Sequence, residues 1–234
     1  DSADSWSMER SRSLQYCRNR PSPHGENVMG SQRNKPTQDS RTTATGRNAD
    51  LFIPRACDTE TNARTGTLTL PHGKVETPVF MPVGTVGTVK AIDHDTLHRI
   101  GYRLILANTY HLYLRPGIET IERFGGLHSF STWQHNVLTD SGGYQIFSLA
   151  PFRKISDEGA EFRSHIDGSR HLLTPERVVS IQVTIGSDIQ MVLDVCTGAE
   201  EGRQAAIDAL GTTVLWALRA KRSWRHEVEE RGYA

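Results

Sequence analysis

Apolar residues are unevenly spread along this chain. Through position 50 they occur singly in a background of Ser, Arg, Asn, Thr and Asp, and the stretch GSQRNKPTQDSRTTATGRNAD follows a period of neither 2 nor 3.6. Such a segment cannot bury enough surface to offset its ordering entropy. Residues 1–50 are therefore expected to be disordered or foreign to the domain, and residues 51–234 to hold the folded part.

Past Leu51 the pattern changes. Alternating Thr and Leu in TGTLTLPHGKVETPVFMPVG predict a β-hairpin turning at Pro71-His72-Gly73, with a more apolar second strand that ends at Met81–Gly84. IDHDTLHRIG has helical spacing and a stop at Gly101. YRLILANTYHL reads as a buried strand, RPGIETIERFGG as a Pro-Gly turn and short helix, and NVLTDSGGYQIFS as a third strand with its exit loop. RKISDEGAEFRSHIDGSRHLL predicts a polar hairpin with an Asp167-Gly168 turn. In TPERVVSIQVTIG, Thr174 is a helix N-cap, Pro175 the first helical residue and Gly186 the stop. SDIQMVLDV supplies a fourth strand, and a helix with an apolar stripe covers 200–230.

Strand and helix alternating across long crossovers is the signature of parallel β/α units, an α/β fold. Four units make half of a (β/α)8 TIM barrel. An open doubly wound sheet gives the same alternation, so periodicity leaves both standing.

Composition adds limits. The 234 residues carry 27 basic and 27 acidic side chains, so no strong global field attracts nucleic acid. Mean hydropathy is −0.49, a value pulled down by the polar N-terminal segment. Cys17, Cys57 and Cys196 are far apart, without CxxC or a histidine at metal spacing, which argues against a disulfide scaffold and for a reducing compartment. No apolar run approaches the ~18 residues of a membrane span, and no secretory signal pattern opens the chain. The expectation is a cytoplasmic protein without a membrane partner, and a start at Asp1 rather than Met suggests a fragment.

Parallel β/α folds place chemistry where strands end. Here the ends read NTYH, TDSGGYQ and LDVC, putting Asn108, His111, Asp140, Gln145 and Asp194 after apolar runs. Two carboxylates on successive strand ends would face one pocket, while Gly142 and Gly143 allow close approach and offer amide donors. Each residue also has a plainer reading. Asp140 and Asp194 can be N-caps of the next helix, Gly-Gly a simple turn, Tyr144 a rim aromatic, Cys196 a buried filler. His111, His165 and His171 have no metal spacing, and His72-Gly73 reads as turn chemistry.

The strings TPVFMPVGT, NTYHLYLRPG, GGLHSF, LTDSGGYQ, SHIDGSRHLLTPE and IQVTIGSDIQMVLDVC resemble, in order and spacing, the tRNA-guanine transglycosylase family from about Ala63 to Ser223. That resemblance implies a (β/α)8 barrel that exchanges guanine at the tRNA anticodon wobble position for a 7-deazaguanine. The chemistry it implies is a retaining glycoside exchange through a carboxylate nucleophile. By match to the family's DSGGY motif, Asp140 corresponds to the general acid/base. Ser141, Gly142, Gly143 and Tyr144 correspond to the pocket lining, with Tyr144 stacking on the heterocycle. Asp194 corresponds to the carboxylate that accepts from the base's N–H edge. Cys196 matches the bacterial pattern, which favours the aminomethyl base preQ1 over queuine.

Departures from the family accompany the match. Asp194-Val195-Cys196 stands where the family carries Asp-Glu-Cys. The later glutamine, glycine-rich contact, nucleophilic aspartate and Cys-x-Cys-x-x-Cys…His zinc site have no counterpart, so zinc is expected for a full-length relative but no metal ligand is assigned here. The partners implied are tRNA, the guanine or preQ1 base and, for the full-length enzyme, a second subunit. The 234 residues alone are expected to lack exchange activity. A non-catalytic partner subunit or tRNA-binding remnant is the alternative, and an unrelated β/α enzyme of sugar phosphates is disfavoured by the lack of a phosphate-gripping loop. Arg153, Lys154 and Arg163 are candidates for a tRNA footprint, with a solvated hairpin face as the plainer reading.

Overall fold

The computed structural model describes residues 51–150 and 152–231, so the expectation for 1–50 lies outside the described residues. Two compact units divide the chain, Asp1–Gly66 and Thr67–Ala234. Strand β1 (Phe52–Cys57) belongs to the first unit, and β2 (Arg64–Leu70) crosses the boundary. In the second unit, β2 turns through Pro71-His72 into β3 (Gly73–Thr77); this is the hairpin that the Thr/Leu alternation predicted, but its second strand ends at Thr77 and not at Met81–Gly84. Gly73 at φ +117 takes a conformation that side chains avoid.

The parallel sheet of this unit has the order β4 (Leu104–Ala107), β5 (Asn136–Thr139), β9 (Ile189–Gln190). Leu104 to Ala107 pair in register with Asn136 to Thr139, and Leu138 and Thr139 pair with Ile189 and Gln190. Val83 adds one parallel bridge to Leu106. Three strands and one bridge are what the described residues give to this sheet; they form no closed barrel. The fourth strand, predicted over SDIQMVLDV, is regular for two residues only. β9 has one pairing neighbour, so past Gln190 no second ladder holds the chain extended.

β4 is apolar on both faces because helices cover it, while β5 sets Val137 and Leu138 between the buried polar Asn136 and Thr139. Ile105, Ala107, Val137, Leu112, Ile146 and Ile181 are at most 1% exposed and share one cluster. Each such aliphatic side chain contributes about 1.5–3 kcal/mol of burial. The covering helices are α1 (His94–Arg99), α2 (Thr109–Leu112), α3 (Ile118–Arg123), α4 (Leu127–Ser131), α5 (Gly143–Leu149), α6 (Pro175–Ile185) and α7 (Gly202–Glu230). Asp93 caps α1 through Thr96 N–H at 2.7 Å, and Thr174 caps α6 through Arg177 N–H at 3.1 Å. Gly186, at φ +74, ends α6 as predicted.

Inside the core, Gln182 of α6 satisfies its whole amide. Its Oε1 accepts from Thr139 Oγ1 at 2.8 Å and from Met191 N–H at 3.0 Å; its Nε2 donates to Met191 O at 2.9 Å and Val178 O at 3.4 Å. A buried amide is tolerable when every polar atom is paired. Trp216 of α7 donates to Asp157 O at 3.1 Å, and the Arg219 guanidinium grips Glu176 of α6 with two bonds of 2.7 Å.

Four further local expectations are corrected. YRLILANTYHL is strand only over Leu104–Ala107 and turns helical at Thr109. DSGGYQIFS is not all exit loop, because Gly143–Leu149 is helical. The predicted hairpin over 153–173 is a three-stranded antiparallel meander of β6 (Arg153–Ile155), β7 (Ala160–Arg163) and β8 (Arg170–Leu173), with Asp167-Gly168 turning β7 into β8. Cys57 is disulfide-bonded, against the expectation of a chain without disulfides. Among the described residues, no helix is long and apolar enough to cross a membrane.

Candidate active site at the carboxyl ends of the parallel strands

Asp140 is the first residue past β5. Its N–H still donates to Ala107 O at 3.1 Å, so the parallel ladder fixes its backbone. Its carboxylate faces the exit of β4: Oδ2 accepts from Asn108 Nδ2 at 2.5 Å and from Gln145 Nε2 at 3.1 Å, and Oδ1 accepts from Thr109 N–H at 2.9 Å. Thr109 Oγ1 also donates to Asp140 O at 2.5 Å. Asp140 is therefore not the N-cap of the helix that follows it. That position belongs to Gly142, which has no side chain to give, and Asp140 instead serves the first N–H of α2, across the sheet. Three donors hold one carboxylate in a single orientation at the mouth of the strands.

Asp194 follows the short β9. Ser141 Oγ donates to its Oδ1 at 2.9 Å, and the Cys196 thiol lies 3.5 Å from its Oδ2. A thiol is a weak donor, so Oδ2 keeps acceptor capacity. Burial, and then the adjacent Asp194 carboxylate, push the Cys196 thiol up to about 11. Ser141 also accepts from Gly143 N–H at 3.2 Å. The Ser141–Gly143 segment thus ties the Asp140 strand end to Asp194.

The two glycines answer to protein neighbours. A Cβ on Gly143 would lie 2.3 Å from Asp194 Oδ1 and 2.6 Å from Asp194 O. Gly142 combines φ +83 with Tyr110 Cβ 3.3 Å from where its own Cβ would be. A side chain is missing at Gly143 so that the Asp194 loop can lie against the start of α5, and at Gly142 because of its positive φ and the Tyr110 backbone beneath it.

Tyr144, one residue further, is 63% exposed, with its ring 6.4 Å from that of Phe147. Arg153 stacks over Phe147 at 4.4 Å and donates to Phe147 O at 2.5 Å. Lys154 and Arg163 are exposed on the same meander. Burial, and then His165, hold His111 below the ordinary imidazole range, with the Asp140 charge opposing. Gln145 Oε1 is buried and has no protein partner. The sequence reading named Asn108, His111, Gln145 and both aspartates, but it missed Thr109, which holds Asp140 twice, and Tyr110, which packs beneath Gly142. Their place inside NTYH, directly after an apolar strand, was the signal available.

The resemblance raised a cysteine-rich zinc site, and the residues present do not fit one. Cys57 is in a disulfide, Cys196 is a protonated thiol beside a carboxylate, and the group of His, Cys, Asp or Glu close enough to share an ion among the described residues is His72, His128 and Asp188, which has no thiolate.

Two carboxylates and a glycine pair thus stand at successive strand ends of a parallel β/α scaffold, the end where such folds place their chemistry. The family model for queuine tRNA-ribosyltransferase matches residues 57–233, and the chain belongs to that family. It is 57% identical over 177 residues to the queuine tRNA-ribosyltransferase of Desulforudis audaxviator, covering 76% of this chain and 48% of the relative. The Borrelia duttonii protein of that name is 55% identical over 172 residues, covering 74% and 46%. The Treponema denticola one is 54% identical over 181 residues, covering 77% and 48%. The chain thus spans about half the length of the curated relatives it matches.

Proposed function

We propose that residues 51–234 form the base-binding part of a tRNA-guanine transglycosylase, a pentosyltransferase that exchanges guanine at the anticodon wobble position for a 7-deazaguanine, preQ1 by the Cys196 match. The names of the relatives and the family match support the reaction class. The site reading rests on one observation, the Ser141–Gly143 segment that joins the Asp140 strand end to Asp194. In this reading Asp194 Oδ2 accepts from the N–H edge of the base, and the exposed Tyr144 ring stacks on its face. Gln145 Oε1 supplies a further acceptor beside Asp140. Asp140, oriented by Asn108, Thr109 and Gln145, acts as the acid/base that takes the proton of the incoming base.

The anticodon base must be unstacked to enter, which a loop permits more cheaply than a duplex. Phe147 with Arg153, Lys154 and Arg163 offers an aromatic and basic flank for the RNA strand. The remainder of a (β/α)8 barrel, the nucleophilic carboxylate, a zinc site and a homodimer contact belong, in this reading, to sequence like that of the full-length relatives. A cytoplasmic location fits a tRNA substrate.

Guanine titrated calorimetrically into the full chain tests the base pocket, with adenine as control. Saturable guanine binding that Asp194→Asn weakens at least about tenfold is expected, since the half-buried carboxylate loses its charge and one acceptor oxygen becomes a donor. Equal binding of adenine, or no effect of Asp194→Asn, removes the assignment. Asp140→Asn in a complete enzyme is expected to abolish radiolabelled-guanine exchange on tRNA while leaving the fold intact.

A further inference from the structure

The opposite, amino-terminal end of the parallel strands carries a second cluster that the base site does not use. His72 lies in the β2–β3 turn, His128 on α4 and Asp188 just ahead of β9, and one ligand atom from each falls within 4.8 Å of the others. The Asp188 side chain is 1% exposed. Its Oδ1 accepts from His72 Nδ1 at 2.7 Å, its Oδ2 accepts from Val137 N–H at 2.8 Å, and His128 Nε2 lies 3.4 Å from Oδ2. The two imidazoles stack with centroids 3.7 Å apart and planes 15° from parallel. Both ion-pair partners of this buried carboxylate are histidines rather than a permanent cation.

We propose that His72, His128 and Asp188 form a site for a divalent cation of the imidazole-preferring class, Zn2+, Co2+ or Ni2+. Two imidazoles and one carboxylate suit these ions better than Mg2+ or Ca2+, which want oxygen throughout. Ligand bonds of 2.0–2.2 Å in a tetrahedron set donor atoms about 3.4 Å apart. The His128–Asp188 pair already has that spacing at 3.4 Å. His72 Nδ1 sits too near at 2.7 Å and in a ring stacked alongside its neighbour, so it must draw back and turn out of the stack. It is placed to do so: its side chain is 40% exposed and rides on a turn, whereas that of His128 is 15% exposed.

Ligation needs a proton-free Nδ1 on His72 and a proton-free Nε2 on His128, so it gives up the 2.9 Å contact between His128 Nε2 and the His135 carbonyl. Solvent completes the coordination on the exposed side. The ion would tie the hairpin turn, α4 and the start of β9 together, a stabilising clamp remote from the base site.

The test uses the full chain without an affinity tag, stripped with a chelator. ZnCl2 is titrated calorimetrically, and CoCl2 is followed by its visible ligand-field absorption. One saturable equivalent is expected, with a thermal midpoint that rises with metal. His72→Ala, at a half-exposed turn position, should keep the circular dichroism spectrum and lose about tenfold or more in affinity, because even a second-shell change costs 10–100-fold. Asp188→Asn should lose binding as well. Absence of saturable binding overturns the proposal. So does binding that His72→Ala leaves unchanged, which would place the metal on other histidines such as His98 and His135, whose Nδ1 and Nε2 lie 2.7 Å apart.

Discussion

Replacing Gly143 with alanine adds one methyl group at a tight point of the candidate site. No left-handed backbone stands in the way, and as the first residue of α5 the position gains up to about 0.5–1 kcal/mol from alanine's helix preference. The new Cβ, however, falls 2.3 Å from Asp194 Oδ1 and 2.6 Å from Asp194 O. Ordinary carbon–oxygen contacts begin at about 3.3 Å, so the two segments must part by about 1 Å at the least. A rotamer change of Asp194 relieves only the first clash, because the second is with its backbone carbonyl. Overpacking of this kind costs about 1–3 kcal/mol, leaving a net loss of about 1–2 kcal/mol and a broken Ser141–Asp194 bond. Gly211 in α7 is the matched control: its Cβ would meet nothing within 4 Å, so Gly211→Ala should gain up to about 1 kcal/mol. Urea unfolding followed by circular dichroism reads both, and guanine calorimetry reads the site. A Gly143→Ala chain as stable as the parent and binding guanine equally would refute the reasoning.

Two other measurements follow from the same geometry. For Glu176, burial is the largest influence and raises the pKa, but the hydrogen bonds from Arg219, its own backbone N–H and Thr174, with the Arg219 charge, together outweigh it and leave the carboxyl below its ordinary 4.5. A carboxyl depressed on folding adds stability above its unfolded pKa and loses it as pH falls through the folded one. With side chains 43% and 31% exposed, the pair contributes about 0.5–1 kcal/mol. Glu176→Gln should lose that at pH 7 and flatten the acid limb below about pH 4.5; superimposable stability–pH curves would count against it. The Cys196 thiol, raised to about 11 from an ordinary 9.0, should react with iodoacetamide at pH 8 about a hundredfold more slowly in the folded than in the urea-unfolded chain. Peptide mass mapping measures this, and equal rates would contradict the burial.

Local chemistry made some of this structure legible in advance. Helix α6 carries its own start and stop in Thr174, Pro175 and Gly186, and β4 and β5 announce themselves as short apolar runs that end in polar groups. Arg153–Ile155 went unread as a strand because all three residues are exposed and show no alternation; only pairing with β7 makes them extended. The helix at Gly143 was hidden by two glycines, whose reasons lie in distant partners, Tyr110 for Gly142 and Asp194, 51 positions on, for Gly143. Asp140 and Asp194 were found as strand ends, but their partners were only partly visible. Asn108 and Gln145 were flagged by position alone, and Thr109 looked like an ordinary neighbour. The His72–Asp188 contact spans 116 positions and leaves no periodic trace, so a turn was all that His72-Gly73 suggested.

Gln182 touches neither carboxylate, yet it decides where one of them stands. The last bond to the sheet is the 3.1 Å one from Met191 N–H to Thr139 O, and the Gln182 amide joins it there as a gauge, holding both backbone polar groups of Met191 three residues before Asp194. Slipping the chain by one residue would present its oxygen and nitrogen to the wrong partners. The position of Asp194 is thus calibrated from the far side of the core, and a variant such as Gln182→Leu is expected to weaken the proposed guanine binding although the altered side chain lies away from the carboxylate.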